Sequence, residues 1–324
     1  MKTYTIPRTD LTVSRIAFGC MKIGGTWDAA PISAGTAQAA FAAISAALDC
    51  GINFFDHADI YTRGKSEEVF GRYLRDNPGL RDRLVLQSKV GIRFPEEGAT
   101  MSAPARYDFS RDHIVGSVEA ILKRLQTDRL DLLLLHRPDA LVEPEDVARA
   151  FDELARAGKV RHFGVSNHTP GQIELLRRHV AQPLVVNQLE FSLAQPALVA
   201  EGMIANRAGS VSVLGAGILD YCRLHDILVQ AWSPVGGGKL LAPDAAAGPL
   251  KAAAELLAAL AKAKNTTPEA VALAWILRHP AGMQPIIGTT KADRVRASAP
   301  ADELELTREE WYLLLETARG QRVP

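Results

Sequence analysis

The sequence predicts an α/β protein, a (β/α)8 TIM barrel, and three observations carry that reading. Eight short apolar runs alternate along the chain with stretches of helical period. Nearly all of these runs lack strict apolar–polar alternation, as parallel strands buried on both faces do. Polar and titratable residues gather just past several runs, where the βα loops of a barrel converge on one mouth.

In chain order, residues 2 to 13 read as an N-terminal β-hairpin closing the barrel bottom, with Pro7 to Asp10 as its turn. The expected strands begin with Ile16 to Phe18 and Ile52 to Phe55, the latter followed by the helical pattern Glu67 to Leu74. Leu84 to Leu86 is the expected third strand, and residues 94 to 109, rich in Gly, Pro and Ala, read as a long surface loop at the mouth. In the segment that follows, Ile114, Val118, Ile121, Leu122 and Leu125 fall at helical spacing and form one apolar stripe. Leu132 to Leu135 then precedes a helix expected over Pro144 to Ala157. Pro144 suits its first position, having no N–H to lose there, and Gly158 suits the residue past its end. Val160 to Val165, a helix over Pro170 to Val180, Leu184 to Val186 and Ile227 to Ala231 continue the pattern. Helices over Pro249 to Lys264 and Pro268 to Leu277, the strand Pro285 to Ile287 and two extra C-terminal helices complete it. No composition shift or polar linker divides the chain, so residues 1–324 read as a single domain.

Composition restricts the function classes. With 47% hydrophobic and 23% charged residues the chain has the proportions of a globular protein with a large core. The 37 basic residues balance the 37 acidic ones, so no net field draws nucleic acid or an anionic membrane. Met1 to Phe18 lacks the apolar centre of a signal peptide, and no apolar run is long enough to span a bilayer. Cys20, Cys50 and Cys222 are odd in number and far apart, which argues against a disulfide framework or a zinc cluster. A cytoplasmic enzyme is the expectation, with its oligomeric state open.

Three neighbouring strand ends carry the chemistry-bearing residues. The second ends in FFDHADIY with Asp56 and Tyr61, the third in QSK with Lys89, and the fourth in LLHR with His136. Each has an ordinary structural reading alone: a solvated Lys, a packing Tyr, a satisfied core His. Together with the run KVRHFGVSN, the AWSP segment and IIGTTKADR, in this order and spacing, they resemble the aldo-keto reductase superfamily, in particular its bacterial YdhF-like oxidoreductase branch. The resemblance covers nearly the whole chain. It implies a catalytic tetrad of Asp56, Tyr61, Lys89 and His136 that reduces a carbonyl. Hydride reaches carbon while a proton reaches oxygen, and a phenol with pKa about 10 is a weak acid unless tuned. The expectation is that Lys89 lowers the pKa of Tyr61, that Asp56 holds Lys89, and that His136 orients the carbonyl oxygen.

A dinucleotide fingerprint is missing, since the near miss Gly215-Ala216-Gly217-Ile218-Leu219-Asp220 has Asp at the third Gly position and reads as a loop entering a helix. A barrel offers phosphate sites after its last two strands instead. After strand seven, Gly236, Gly237 and Gly238 let backbone amides approach a pyrophosphate and Lys239 adds charge, although GGG alone is an ordinary flexible loop. The resemblance places this segment, Trp232 to Leu240 with Ser233 and Pro234, over the pyrophosphate and stacks Trp232 on a nicotinamide. It also implies that Ser166, Asn167 and Gln188 grip the carboxamide and that Gly19 and Met21 border the ring. After strand eight, Gly288, Thr289, Thr290 and Lys291 open a helix carrying Arg294, a cradle for a 2′-phosphate that favours NADP(H) over NAD(H). Ala297 and Ser298 stand where the family often has Glu and Asn against adenine.

Trp27 is a candidate substrate-pocket wall beside Tyr61 and His136, or equally a ring packed under its loop. His57 receives no role. Arg137 reads as half of a structural ion pair, with anchoring of an anionic substrate as the alternative. Two rival classes remain. A metal-dependent barrel hydrolase would ligate through Asp56, His57 and Asp59, without a convincing cluster to complete the site. A non-enzymatic module sensing nicotinamide redox state would keep the same segments.

Overall fold

The computed structural model describes residues 1–95, 104–204 and 217–324. The strands in chain order are β1 (Thr3–Thr5), β2 (Thr12–Ser14), β3 (Ala17–Gly19), β4 (Phe54–Asp56), β5 (Val85–Val90), β6 (Ile92–Arg93), β7 (Arg106–Tyr107), β8 (Leu130–Leu135), β9 (Val160–Ser166), β10 (Leu184–Glu190), β11 (Leu228–Trp232) and β12 (Gln284–Ile287). β3, β4, β5, β8, β9, β10, β11 and β12 close a parallel barrel in that order, with β12 pairing back to β3. The helices are α1 (Ala34–Asp49), α2 (Lys65–Asp76), α3 (Arg111–Leu125), α4 (Pro144–Arg156), α5 (Pro170–Arg177), α6 (Ala197–Ile204), α7 (Ile218–Leu224), α8 (Gly248–Ala263), α9 (Pro268–Leu277), α10 (Ala292–Ser298) and α11 (Arg308–Arg319). This is the (β/α)8 barrel that the apolar runs announced.

The N-terminal hairpin pairs β1 with β2 in the register Thr3↔Ser14 and Thr5↔Thr12. Its Ile6, Leu11 and Val13 pack with the inward residues Ala17, Phe54, Val85, Leu132, Val186 and Leu228. They fill the barrel floor, which leaves the opposite, carboxyl end for a ligand. A separate, larger apolar cluster lies between strands and helices. Gly71 is required there: a Cβ would stand 2.2 Å from the carbonyl oxygen of Arg124, so only glycine lets α2 lie this close to the end of α3. Trp275 and Trp311 stack with centroids 5.1 Å apart, and each indole N–H donates to the other's carbonyl, at 3.1 and 2.9 Å. That reciprocal pair ties the C-terminal α11 to α9.

Several strands run further toward the mouth than their apolar runs suggest: Lys89, Ser166, Gln188 and Trp232 lie within strands rather than after them. In a closed barrel every strand has a neighbour on both sides, so the ladder continues through polar residues. α1 is rich in Ala, which weakens the apolar contrast on which periodicity depends, and the sequence reading passed over it. Part of the expected mouth loop is a two-residue ladder of β6 with β7, and residues 96–103 lie outside the described residues. Gly215 and Ala216 also lie outside them, while Gly217 caps the start of α7.

Candidate active site

Register brings the strand-end residues together. Gly19 pairs with Asp56 between β3 and β4, Asp56 with Gln87 between β4 and β5, and Lys89 with Leu134 between β5 and β8. Tyr61 begins a tight turn after β4 in which Thr62 and Arg63 both have positive φ, 47° and 57°. His136 directly follows β8, its backbone N–H donating to Val90 at 2.9 Å.

These placements make one hydrogen-bonded cluster. The fully buried Lys89 ammonium donates to the Asp56 carboxylate at 2.8 Å, to the His57 carbonyl at 2.8 Å and to the Tyr61 hydroxyl at 2.9 Å. All three N–H donors of the ammonium are thereby used. Asp56 Oδ1 also accepts from Gln87 at 2.5 Å and from Gln188 at 3.0 Å. The His136 ring stands edge-on to Tyr61, with centroids 5.9 Å apart.

Charge states follow from burial and neighbours. Burial alone would lower the Lys89 pKa, but Asp56 and Tyr61 outweigh it and hold the ammonium above the ordinary lysine value. Burial raises the Tyr61 pKa, and Lys89 recovers only part of that rise. Lys89 lowers the Tyr61 pKa as the sequence leads one to expect, and desolvation of the phenolate exceeds that pull, so the net shift is upward. Tyr61 is a protonated phenol at neutral pH. Burial, then Lys89 and Arg137, pushes His136 well below the ordinary histidine value, leaving a neutral imidazole with one N–H to donate. His57 is lowered to about 3 by burial and Lys89, and its ring packs on Phe70 at 4.7 Å. It is a neutral core histidine whose ring nitrogens have no partner among the described residues.

A cavity of about 450 Å³ opens over this cluster. Asp56, Tyr61 and His136 line it, with Gly19, Met21, Ser166, Asn167, Gln188, Trp232, Ser233 and Pro234. Asn167 bridges strand ends: its amide donates to Ser166 Oγ at 2.8 Å and to the His136 carbonyl at 3.2 Å, while its oxygen accepts from the Trp232 indole at 3.2 Å. Gly237 and Gly238 line the cavity with φ of 67° and 96°, and a Cβ on either would meet open space, so conformation rather than crowding demands glycine. Gly236 lies behind them, where a Cβ would stand 2.8 Å from Ala194 Cβ. Lys239 is exposed and Leu240 points into the core, so neither lines the cavity; Leu241 does. At the far end Gly288, Thr289, Arg294 and Ser298 line it, whereas Thr290 and Lys291 are not part of its lining. The Ser298 hydroxyl donates to the Arg294 carbonyl at 2.9 Å.

Trp27 forms part of the rim, edge-on to Phe94 at 6.4 Å. Lys65 holds that loop in place by donating to Thr26 Oγ1 and to the carbonyls of Asp28 and Ala30. Arg137 lies over the Trp232 ring at 5.6 Å, and no ion pair to it is present among the described residues. The expected ion pair is replaced by a cation–π contact with the indole at the end of β11, across the mouth.

Comparison with known proteins accords with this geometry. The model of the aldo/keto reductase family matches residues 15–318. The chain belongs to the aldo/keto reductase family. It is 37% identical to a 6-dehydroglucose reductase of Agrobacterium fabrum over 313 residues, 97% of each chain. It is 40% identical to oxidoreductase YdhF of Escherichia coli over 278 residues, 86% of each chain. Among solved structures, the glycerol dehydrogenase AKR11B4 from Gluconobacter oxydans superposes with a TM-score of 0.80 at 26% identity, covering 98% of this chain and 95% of that one. The protein is thus an oxidoreductase of this family, in the bacterial branch that the sequence resembled.

The sequence reading missed several cavity residues. Glu269, in the first turn of α9, lines the cavity and pairs with Arg294 at 3.9 Å. Its helix is otherwise apolar and buried, so one acidic residue at its start reads as an ordinary helix-end charge. Ile60 and Ile92 also line the cavity and give it an apolar wall near Tyr61. Gln87, Gln230 and Gln284 were legible only as isolated amides inside apolar runs, and all three are fully buried.

Proposed function

We propose that the protein reduces a small aldehyde or ketone to the alcohol using NADP(H), with Tyr61 as proton donor. The carrying observation is the Lys89 ammonium at 2.8 Å from Asp56 and 2.9 Å from Tyr61, beneath a cavity that Tyr61 and His136 line. The dinucleotide, when bound, supplies the hydride. Features of the chain fit it: the amides of Asn167 and Gln188 and the face of Trp232 at one end, the glycine backbone of Gly237 and Gly238 midway, and Arg294 with Gly288 and Thr289 at the other. Arg294 is the group that would prefer a 2′-phosphate.

In this reading Tyr61 donates its hydroxyl proton to the carbonyl oxygen as that oxygen gains electron density. Its raised pKa keeps the proton available throughout the neutral range, and the ammonium of Lys89 stabilises the phenolate left behind. Asp56 holds Lys89 in place. Neutral His136 donates its N–H to the same carbonyl oxygen and fixes its direction. Met21, Trp27, Ile60 and Ile92 form the substrate side of the cavity, and apolar walls there exclude water from the transfer. Two relatives are named for 6-dehydroglucose and for glycerol, which supports a small substrate. The whole of residues 1–324 acts as one domain in this account.

The test is Tyr61→Phe assayed with NADPH and a panel of aldehydes. Turnover falls by about a thousandfold or more, on the order of what a positioned proton donor contributes, while the NADPH dissociation constant stays within about twofold. Retained reduction in that variant removes Tyr61 from its role. A wild-type protein that binds NADPH and turns over no carbonyl would instead favour a redox-sensing module on the same fold.

A further inference from the structure

Beneath Asp56 lies a chain of buried amides. Gln188, Gln230 and Gln284 stand in register on the three consecutive strands β10, β11 and β12, and Gln87 reaches them across the barrel interior from β5. Gln284 Nε2 donates to the Ser14 carbonyl at 2.8 Å, and Gln230 Nε2 donates to Gln284 Oε1 at 2.9 Å. Gln230 Oε1 then accepts from both Gln87 at 2.9 Å and Gln188 at 3.1 Å. The remaining N–H of each of those two amides goes to Asp56 Oδ1, at 2.5 and 3.0 Å.

The direction of this chain is fixed at both ends. The Ser14 carbonyl and the Asp56 carboxylate can only accept, so every amide in between must turn its NH₂ one way. Turning Gln87 over would set its oxygen against a carboxylate oxygen. The structure leaves Gln87 Oε1 buried without a partner among the described residues, and so favours the two donated bonds over satisfying the acceptor. Gln87 and Gln188 therefore hold the same carboxylate oxygen in the same way, with one difference. Gln188 lines the cavity, whereas Gln87 is sealed beneath it.

We propose that Gln87, aligned by Gln230 and Gln284, is a positioning residue that keeps Asp56 held against Lys89 when Gln188 gives its amide to a bound nicotinamide cofactor. This rests on the reading of Gln188 as a cofactor contact given above. With Gln87 present, the carboxylate keeps one amide donor after Gln188 turns away. Without it, cofactor binding must strip the carboxylate of its last amide. The two glutamines are thereby coupled through one oxygen atom.

The experiment is a double-mutant cycle on NADPH binding, read by quenching of intrinsic tryptophan fluorescence in wild type, Gln87→Met, Gln188→Met and the double variant, with circular dichroism to confirm folding. Gln87→Met weakens NADPH by about tenfold where Gln188 is present, the usual scale of one charge-assisted hydrogen bond. In the Gln188→Met background the same change has less than about a twofold effect, since no amide is left to contest. Equal weakening in both backgrounds, or none in either, overturns the proposal. Wild-type protein that binds no NADPH overturns the cofactor reading and this inference with it, an outcome distinct from additivity. Should Gln87→Met fail to fold, Gln230→Met, which removes the acceptor shared by Gln87 and Gln188, is expected to weaken NADPH where Gln188 is present and to have less than about a twofold effect in the Gln188→Met background, where it frees Gln87 alone.

Discussion

Lys89 is the fully buried cation of the cluster, and the cost of replacing it by Met can be worked from the contacts. Asp56 would lose the ammonium at 2.8 Å, and the His57 carbonyl and the Tyr61 hydroxyl would lose their donor. Breaking a buried ion pair on one side costs about 3–5 kcal/mol, chiefly because the remaining charge stays in low dielectric without compensation. Gln87 and Gln188 still donate to Asp56, which places Lys89→Met near the lower end, about 3 kcal/mol. The double variant Asp56→Asn with Lys89→Met removes the stranded charge and recovers all but about 1 kcal/mol, the share of the hydrogen bonds to Tyr61 and His57. The Lys89 pKa is raised in the folded state, so its contribution is fully present below the ordinary lysine value and is lost only as pH rises through the higher folded value. Urea unfolding at pH 7 therefore reads the whole effect. A double variant no more stable than Lys89→Met alone would refute the account, because stability would then not depend on an uncompensated Asp56.

Other perturbations test the remaining assignments. The His57 pKa is depressed to about 3, so its contribution to stability is intact above the ordinary histidine value and declines as pH falls toward the folded value. His57→Leu removes one proton of that dependence and gains about 3 kcal/mol on wild type between pH 7.5 and pH 4.5 in urea midpoints; a difference unchanged with pH would count against a buried neutral ring. Arg294→Ala is expected to weaken NADPH by about tenfold or more while leaving NADH within about twofold, measured by fluorescence titration. Equal wild-type constants for NADPH and NADH would remove the 2′-phosphate assignment. Because Tyr61 is raised rather than lowered, carbonyl reduction keeps its rate to an alkaline limb above about pH 10, the ordinary phenol value. A limb near pH 8 in kcat would show that Lys89 dominates burial after all.

What the sequence determined by itself is what one-dimensional pattern encodes. Apolar runs without alternation dictated strands buried on both faces, and Pro and Gly positions marked helix ends such as Pro144 and Gly158. Asp56, Tyr61, Lys89 and His136 were legible because a barrel places strand ends at one mouth, so position along a run already implies position in space. The tertiary structure decided relations that depend on closure and register. Nothing in the runs containing Gln87, Gln230 and Gln284 says that their amides meet, since Gln87 comes from β5 and the others from β11 and β12 across the interior. The same holds for Arg137, which met the Trp232 ring and not a carboxylate, and for Leu240, which turned to the core while Leu241 faced the cavity. The protonation of Tyr61 was out of reach for a further reason. A cation beside a phenol lowers its pKa and burial raises it, and only the depth of the site decides which effect is larger.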